Sequence, residues 1–65
     1  MNNSIEMQIV RLVEEIAKDE KKIVELRNEA TETFVDSWRD KYNEQANQVE
    51  ESLNRKMKLL LILKR

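Results

Sequence analysis

The chain has 65 residues and a formal net charge of −1, with 38% charged and 40% hydrophobic residues. That length holds one domain, and that balance is neither the composition of a disordered chain nor that of a membrane span. Glycine, proline, cysteine and histidine are absent, which excludes a disulfide framework, a zinc site, thiol or imidazole chemistry and a glycine-built phosphate loop.

Residues 1 to 20 lack the basic start and apolar core of a secretory signal, and no run approaches the ~18 apolar residues of a span. A cytoplasmic location is the default expectation. Tight hairpins of a sheet protein lean on Gly, Asn or Asp at positive φ, whereas this chain is rich in Glu, Lys, Arg, Leu, Gln and Met, the good helix formers. The expected fold class is all-α. The favoured form is a two-helix antiparallel hairpin assembling into a helical bundle or coiled coil, with one long continuous helix as the alternative.

The first helix is expected at about 3–29. Asn3 with Glu6 reads as a capping pair, with Ser4 as the alternative cap. Ile5, Ile9, Leu12, Ile16, Ile23, Leu26 and Ala30 then form a narrow seam of coiled-coil spacing. Asp19 occupies the one seam site that is not apolar. Such a residue either fixes register, as buried polar residues do in some coiled coils, or marks a loose layer where it reaches water. Val10, Val13, Ala17 and Val24 widen the stripe on one flank.

Asn28 to Thr33 offers a turn at about 28–33, with Asn able to end a helix and Thr33 and Asp36 forming a weak capping box. Nothing in the stretch forbids helix, so the continuous rod stays open. The apolar rhythm nevertheless changes, to 34, 38, 42, 46 and then 49, 53, 57, 60. Steps of four drift by roughly 40° each, so the first seam does not run straight on. This phase change favours the hairpin, with a second helix at about 33–64.

Thr31 to Tyr42 holds all three aromatic residues, Phe34, Trp38 and Tyr42. On a helix their i, i+4, i+8 spacing sets them along one side. There they either fill the bundle core near the turn, with the Trp N–H and Tyr O–H reaching the surface, or stand exposed for a partner to grip. Asn43 to Gln48 offers only Ala46 for burial, a thin waist where a neighbouring helix can come close. At the end, Leu59 to Leu63 cover the full circumference of a helix and call for neighbours on several sides.

A two-helix hairpin buries only its inner stripe, so a homo-oligomer is expected, a dimer of hairpins first. The candidate interface with another chain or a protein partner is Phe34, Trp38, Tyr42, Leu53, Met57, Leu60, Leu61 and Leu63. No catalytic, cofactor or metal residue is proposed. Ser4, Ser37 and Ser52 lack a histidine to activate them. Glu25 with Glu29 and Asp36 with Asp40 share helix faces but read as solvated surface.

Residues 1 to 36 carry nine acids against five bases, and residues 37 to 65 carry seven bases against four acids. Arg55, Lys56, Lys58, Lys64 and Arg65 are therefore the possible phosphate contacts of a less favoured nucleic-acid reading. Membrane contact through the terminal leucines is disfavoured, because five residues make a shallow anchor. In size the hairpin is similar to the Rop-type RNA-binding dimer, with no motif in common. Trp38 is followed by Asp40 where the WXG-type secretion proteins carry glycine, and neither family is assigned. The expected function is a non-catalytic helical oligomerisation and protein-binding module, such as an adaptor, assembly factor or small inhibitor. A small nucleic-acid-binding helical dimer is the alternative.

Overall fold

The computed structural model describes residues 3–65, in two helices, α1 (Asn3–Glu32) and α2 (Asp36–Leu63). They pack against each other as an antiparallel hairpin whose Cα atoms span 53 × 14 × 12 Å. The continuous rod is not adopted. The side chain of Asn3, and with it the expected Asn3–Glu6 cap, lies outside the described residues.

The break falls later than the sequence suggests. α1 runs through Asn28 to Glu32, and only Thr33, Phe34 and Val35 leave the helix. Two β-branched residues flanking an aromatic one lose rotamer freedom in a helix. The Thr31 hydroxyl also donates to the Arg27 carbonyl at 3.0 Å, a back-bond that weakens the final turn. Val35 caps α2 from an extended conformation (φ −97, ψ 115) with no side-chain cap. The Thr33–Asp36 capping box does not form. Instead the Thr33 hydroxyl accepts the Val35 N–H at 3.3 Å. Arg39 reaches back to the Thr33 carbonyl at 3.2 Å and to the Asp36 carboxylate at 3.2 Å. No described residue has positive φ, so this turn closes without the glycine the chain lacks.

The seam of α1 is Ile9, Leu12, Ile16, Asp19, Ile23, Leu26 and Ala30, all buried or half-buried. That of α2 is Tyr42, Ala46, Val49, Leu53, Lys56, Leu60 and Leu63, likewise. Both alternate steps of four and three, the heptad spacing of a left-handed coiled coil. Here the sequence reading needs correction, because the seam passes through Lys56 and leaves Met57 46% exposed. A step of four from Leu53 to Met57 would follow the step of four from Val49 and carry the stripe off the partner helix.

Arg27 bonds to both Asn43 and Asn47, and Lys56 pairs with both Glu15 and Asp19. These contacts set residues level when their numbers add to about 72. Ile9 then lies beside Leu63, Ile16 beside Lys56, Leu26 beside Ala46, and Ala30 beside Tyr42. Among the described residues, the buried hydrophobic ones are Leu12, Leu26, Ala30 and Ala46. Ala46 is fully enclosed, because its small side chain lets the helices approach opposite Leu26.

Candidate functional site

Asp19 and Lys56 form a charged layer inside the seam. The Lys56 Nζ donates to Asp19 Oδ2 at 3.0 Å, with side chains 26% and 18% exposed respectively. A second carboxylate, Glu15, stands 3.8 Å from the same ammonium and is half-exposed. The polar residue that interrupts the first seam is thus matched by a cation 37 positions away. A slip of either helix by one heptad would set each charge against an apolar layer, so the pair specifies register.

Arg27 anchors a second polar cluster, nearer the turn. Its guanidinium donates to Asn43 Oδ1 at 2.9 Å, Asn47 Oδ1 at 2.9 Å and Glu50 Oε1 at 3.0 Å. The planar fork of arginine suits three acceptors spread along one helix face. This cluster fixes which sides of the two helices lie together. On α1, helical spacing sets Val24, Glu20, Ala17, Val13 and Val10 in line with Arg27. On α2, it sets Asn54, Met57, Leu61 and Lys64 in line with Glu50. One side of the hairpin therefore carries the Arg27 cluster near the turn and Val10, Val13, Met57 and Leu61 toward the open end. These four are 56%, 49%, 46% and 65% exposed.

The other side is different. It carries Gln8, Glu15, Lys22 and Glu29 from α1, and Trp38, Gln45, Ser52 and Leu59 from α2. The contact of Glu15 with Lys56 assigns this side independently.

The aromatic stripe does not persist as a unit. Phe34 lies in the turn rather than on α2 and is 98% exposed. Trp38 is half-exposed and Tyr42 half-buried in the seam. Their rings lie 6.1 Å apart at 33°, and the Lys41 ammonium sits 5.3 Å from the Trp38 ring centroid. Of the remaining candidate interface residues, Leu53, Leu60 and Leu63 belong to the hairpin's own seam, whereas Met57 and Leu61 face outward. Val10 and Val13 join that outward patch. Their widening of the first stripe was visible in the sequence, but the matching flank of α2 was not.

The basic cluster is also divided. Lys56 is held in the seam, and Arg55 lies 4.0 Å from Glu51. Lys58, Lys64 and Arg65 are exposed. At the open end, Leu59, Leu61 and Ile62 remain exposed on different sides of the final turns. Among the described residues no helix is long and apolar enough to cross a membrane.

Compared with known proteins, the chain matches no family model, no curated protein sequence and no solved structure.

Proposed function

We propose that this chain is a non-catalytic helical oligomerisation and protein-binding module, an adaptor, assembly factor or small inhibitor that works by engaging another helical surface in the cytoplasm. One observation carries the reading. Among the described residues, twelve large hydrophobic side chains are exposed, and only four hydrophobic residues are buried. A small domain gains little stability from so thin a core, and contiguous exposed apolar surface marks an interface. The outward patch at Val10, Val13, Met57 and Leu61 and the turn knob at Phe34 are the surfaces that such a module would offer.

The test is sedimentation equilibrium together with thermal unfolding, from nanomolar to tens of micromolar protein. Assembly makes the mass and melting temperature rise with concentration. A monomer mass throughout, with a concentration-independent melt, refutes the oligomeric part of the reading.

A second reading, a nucleic-acid-binding helical dimer, is favoured by the exposure of Lys58, Lys64 and Arg65 at one end. Phosphate binding there would weaken with salt. A gel shift abolished by Lys58→Glu with Lys64→Glu supports it, and no shift at low salt refutes it. Lys56 is left untouched in that test, because its charge is committed to Asp19.

A further inference from the structure

We propose that the occupant of the Val10–Val13–Met57–Leu61 face is a second copy of this chain, related by a two-fold axis parallel to the hairpin's length. α1 of each copy then lies against α2 of the other, and the pair is a four-helix bundle with every neighbouring helix antiparallel. This rests on the reading of the chain as an oligomerisation module and names the partner and its orientation.

The hairpin offers two broad sides, and only one has the chemistry of a helix–helix core. Val10, Val13, Met57 and Leu61 are contiguous because Val10 is level with Leu61, and Val13 with Met57, in the register described above. Ala17 extends the patch toward the turn. The opposite side presents only Gln8, Glu15, Lys22 and Glu29 along α1, and on α2 the polar Gln45 and Ser52 part Trp38 from Leu59, so its apolar residues form no continuous patch.

Charge selects the orientation. With the axis along the hairpin, each residue of α1 meets the residue of the partner's α2 that stands level with it. Glu6 then meets Lys64, Glu14 meets Lys58, and Lys21 meets Glu51. Glu14, Lys21 and Lys58 border the apolar stripe on its outer edge, and Glu6 and Lys64 close it at the open end. Glu6, Glu14, Lys21, Lys58 and Lys64 make no ion pair within the hairpin among the described residues, and Glu51 only a 4.0 Å contact with Arg55. All three cross-pairs unite opposite charges. Glu20 comes level with Glu50, the one like-charged meeting, where Arg27 already holds Glu50.

An axis across the hairpin does worse. It stacks α1 on α1 and α2 on α2, and at full overlap it lays the apolar patch on the Arg27 cluster. Sliding the copies until the patches meet leaves only half of each face covered. Full overlap about the lengthwise axis engages a face of 53 × 14 Å in Cα extent, roughly 700 Å² and close to the ~800 Å² per partner of a stable interface.

The chain has no cysteine, so the double variant Glu14→Cys/Lys58→Cys carries the only two thiols. A short bifunctional maleimide should link it into covalent dimers through residues 14 and 58 of different copies, while each single-cysteine variant stays uncrosslinked. Crosslinking by the Glu14→Cys variant alone overturns the orientation, as does a dimer by sedimentation that the double variant cannot lock. Both results leave the oligomerisation reading standing. A monomer of the natural chain at tens of micromolar overturns both. In the same assays Glu14→Lys should loosen the dimer roughly threefold to tenfold, and adding Lys58→Glu should restore it. Loosening that the second change fails to repair also overturns the pairing.

Discussion

Replacing Lys56 by methionine removes one charge from the seam while keeping most of the apolar stem. It leaves Asp19 facing apolar layers without its partner at 3.0 Å. A fully enclosed charge so stranded costs about 3–5 kcal/mol. The side chains here retain 26% and 18% of their exposure, so some hydration survives and the expected loss is about 2 kcal/mol. Asp19→Leu should cost less, about 1 kcal/mol, because Lys56 keeps Glu15 at 3.8 Å. The two changes together replace the charged layer with an apolar one, and the double variant should return to within about 1 kcal/mol of the natural chain, or exceed it. The coupling between the positions is then about 2–3 kcal/mol. Thermal and urea unfolding followed by circular dichroism, at one fixed protein concentration, reads it directly. Each kilocalorie moves the midpoint by about 4–8 °C in a domain of this size. Effects that add to within about 0.5 kcal/mol would mean that the two charges do not act as a pair, and the register argument would fail.

Other expectations follow from single residues. Ala46→Leu inserts volume where none is free and should lower stability by about 1–3 kcal/mol, measured by the same melts. Arg27→Ala forfeits its bonds to Asn43, Asn47 and Glu50, a loss of only about 1 kcal/mol because the arginine and glutamate side chains are 39% and 45% exposed. Phe34→Ala should leave the melt within about 0.5 kcal/mol, since the ring is 98% exposed; a larger drop would show that the ring is covered in the assembled protein. Trp38→Ala should leave the mass of the proposed dimer unchanged by sedimentation, because Trp38 lies on the side of the hairpin away from the proposed contact. A shift to monomer would instead make the turn end the place where chains meet.

The helical hairpin and the seam of α1 are legible in the sequence because both follow from spacing and composition, which are local. Asp19 stands out there as the one charged seam residue. Its partner does not, because Lys56 sits among Arg55, Met57 and Lys58, and an apolar template passes over a lysine in favour of the methionine beside it. Only the distance to α1, 37 positions back along the chain, makes Lys56 a seam residue. The turn falls later than its side-chain chemistry suggests for a similar reason. Asn28 and Thr31 have the chemistry of helix ends, yet α1 passes through both, since Ala30 still has Tyr42 to pack against. Leu61 reads from the sequence as a candidate interface residue, but its neighbour Val10 lies 51 positions away. No single stretch of sequence contains the patch they make together.

The three-residue turn gives the hairpin an order of closing. The layer of Ala30 with Tyr42 joins positions near in sequence, whereas that of Ile9 with Leu63 joins almost the whole chain. Loop-closure entropy rises with the length closed, so zippering should start at the turn and move outward, meeting the Asp19–Lys56 layer midway as a check on alignment. The last layers to close are also the first to fray, and amide exchange should run fastest there. These frayed turns bear Val10 and Leu61. A companion chain laid over them would hold shut the end that one chain closes last, joining the completion of folding to the arrival of the second molecule.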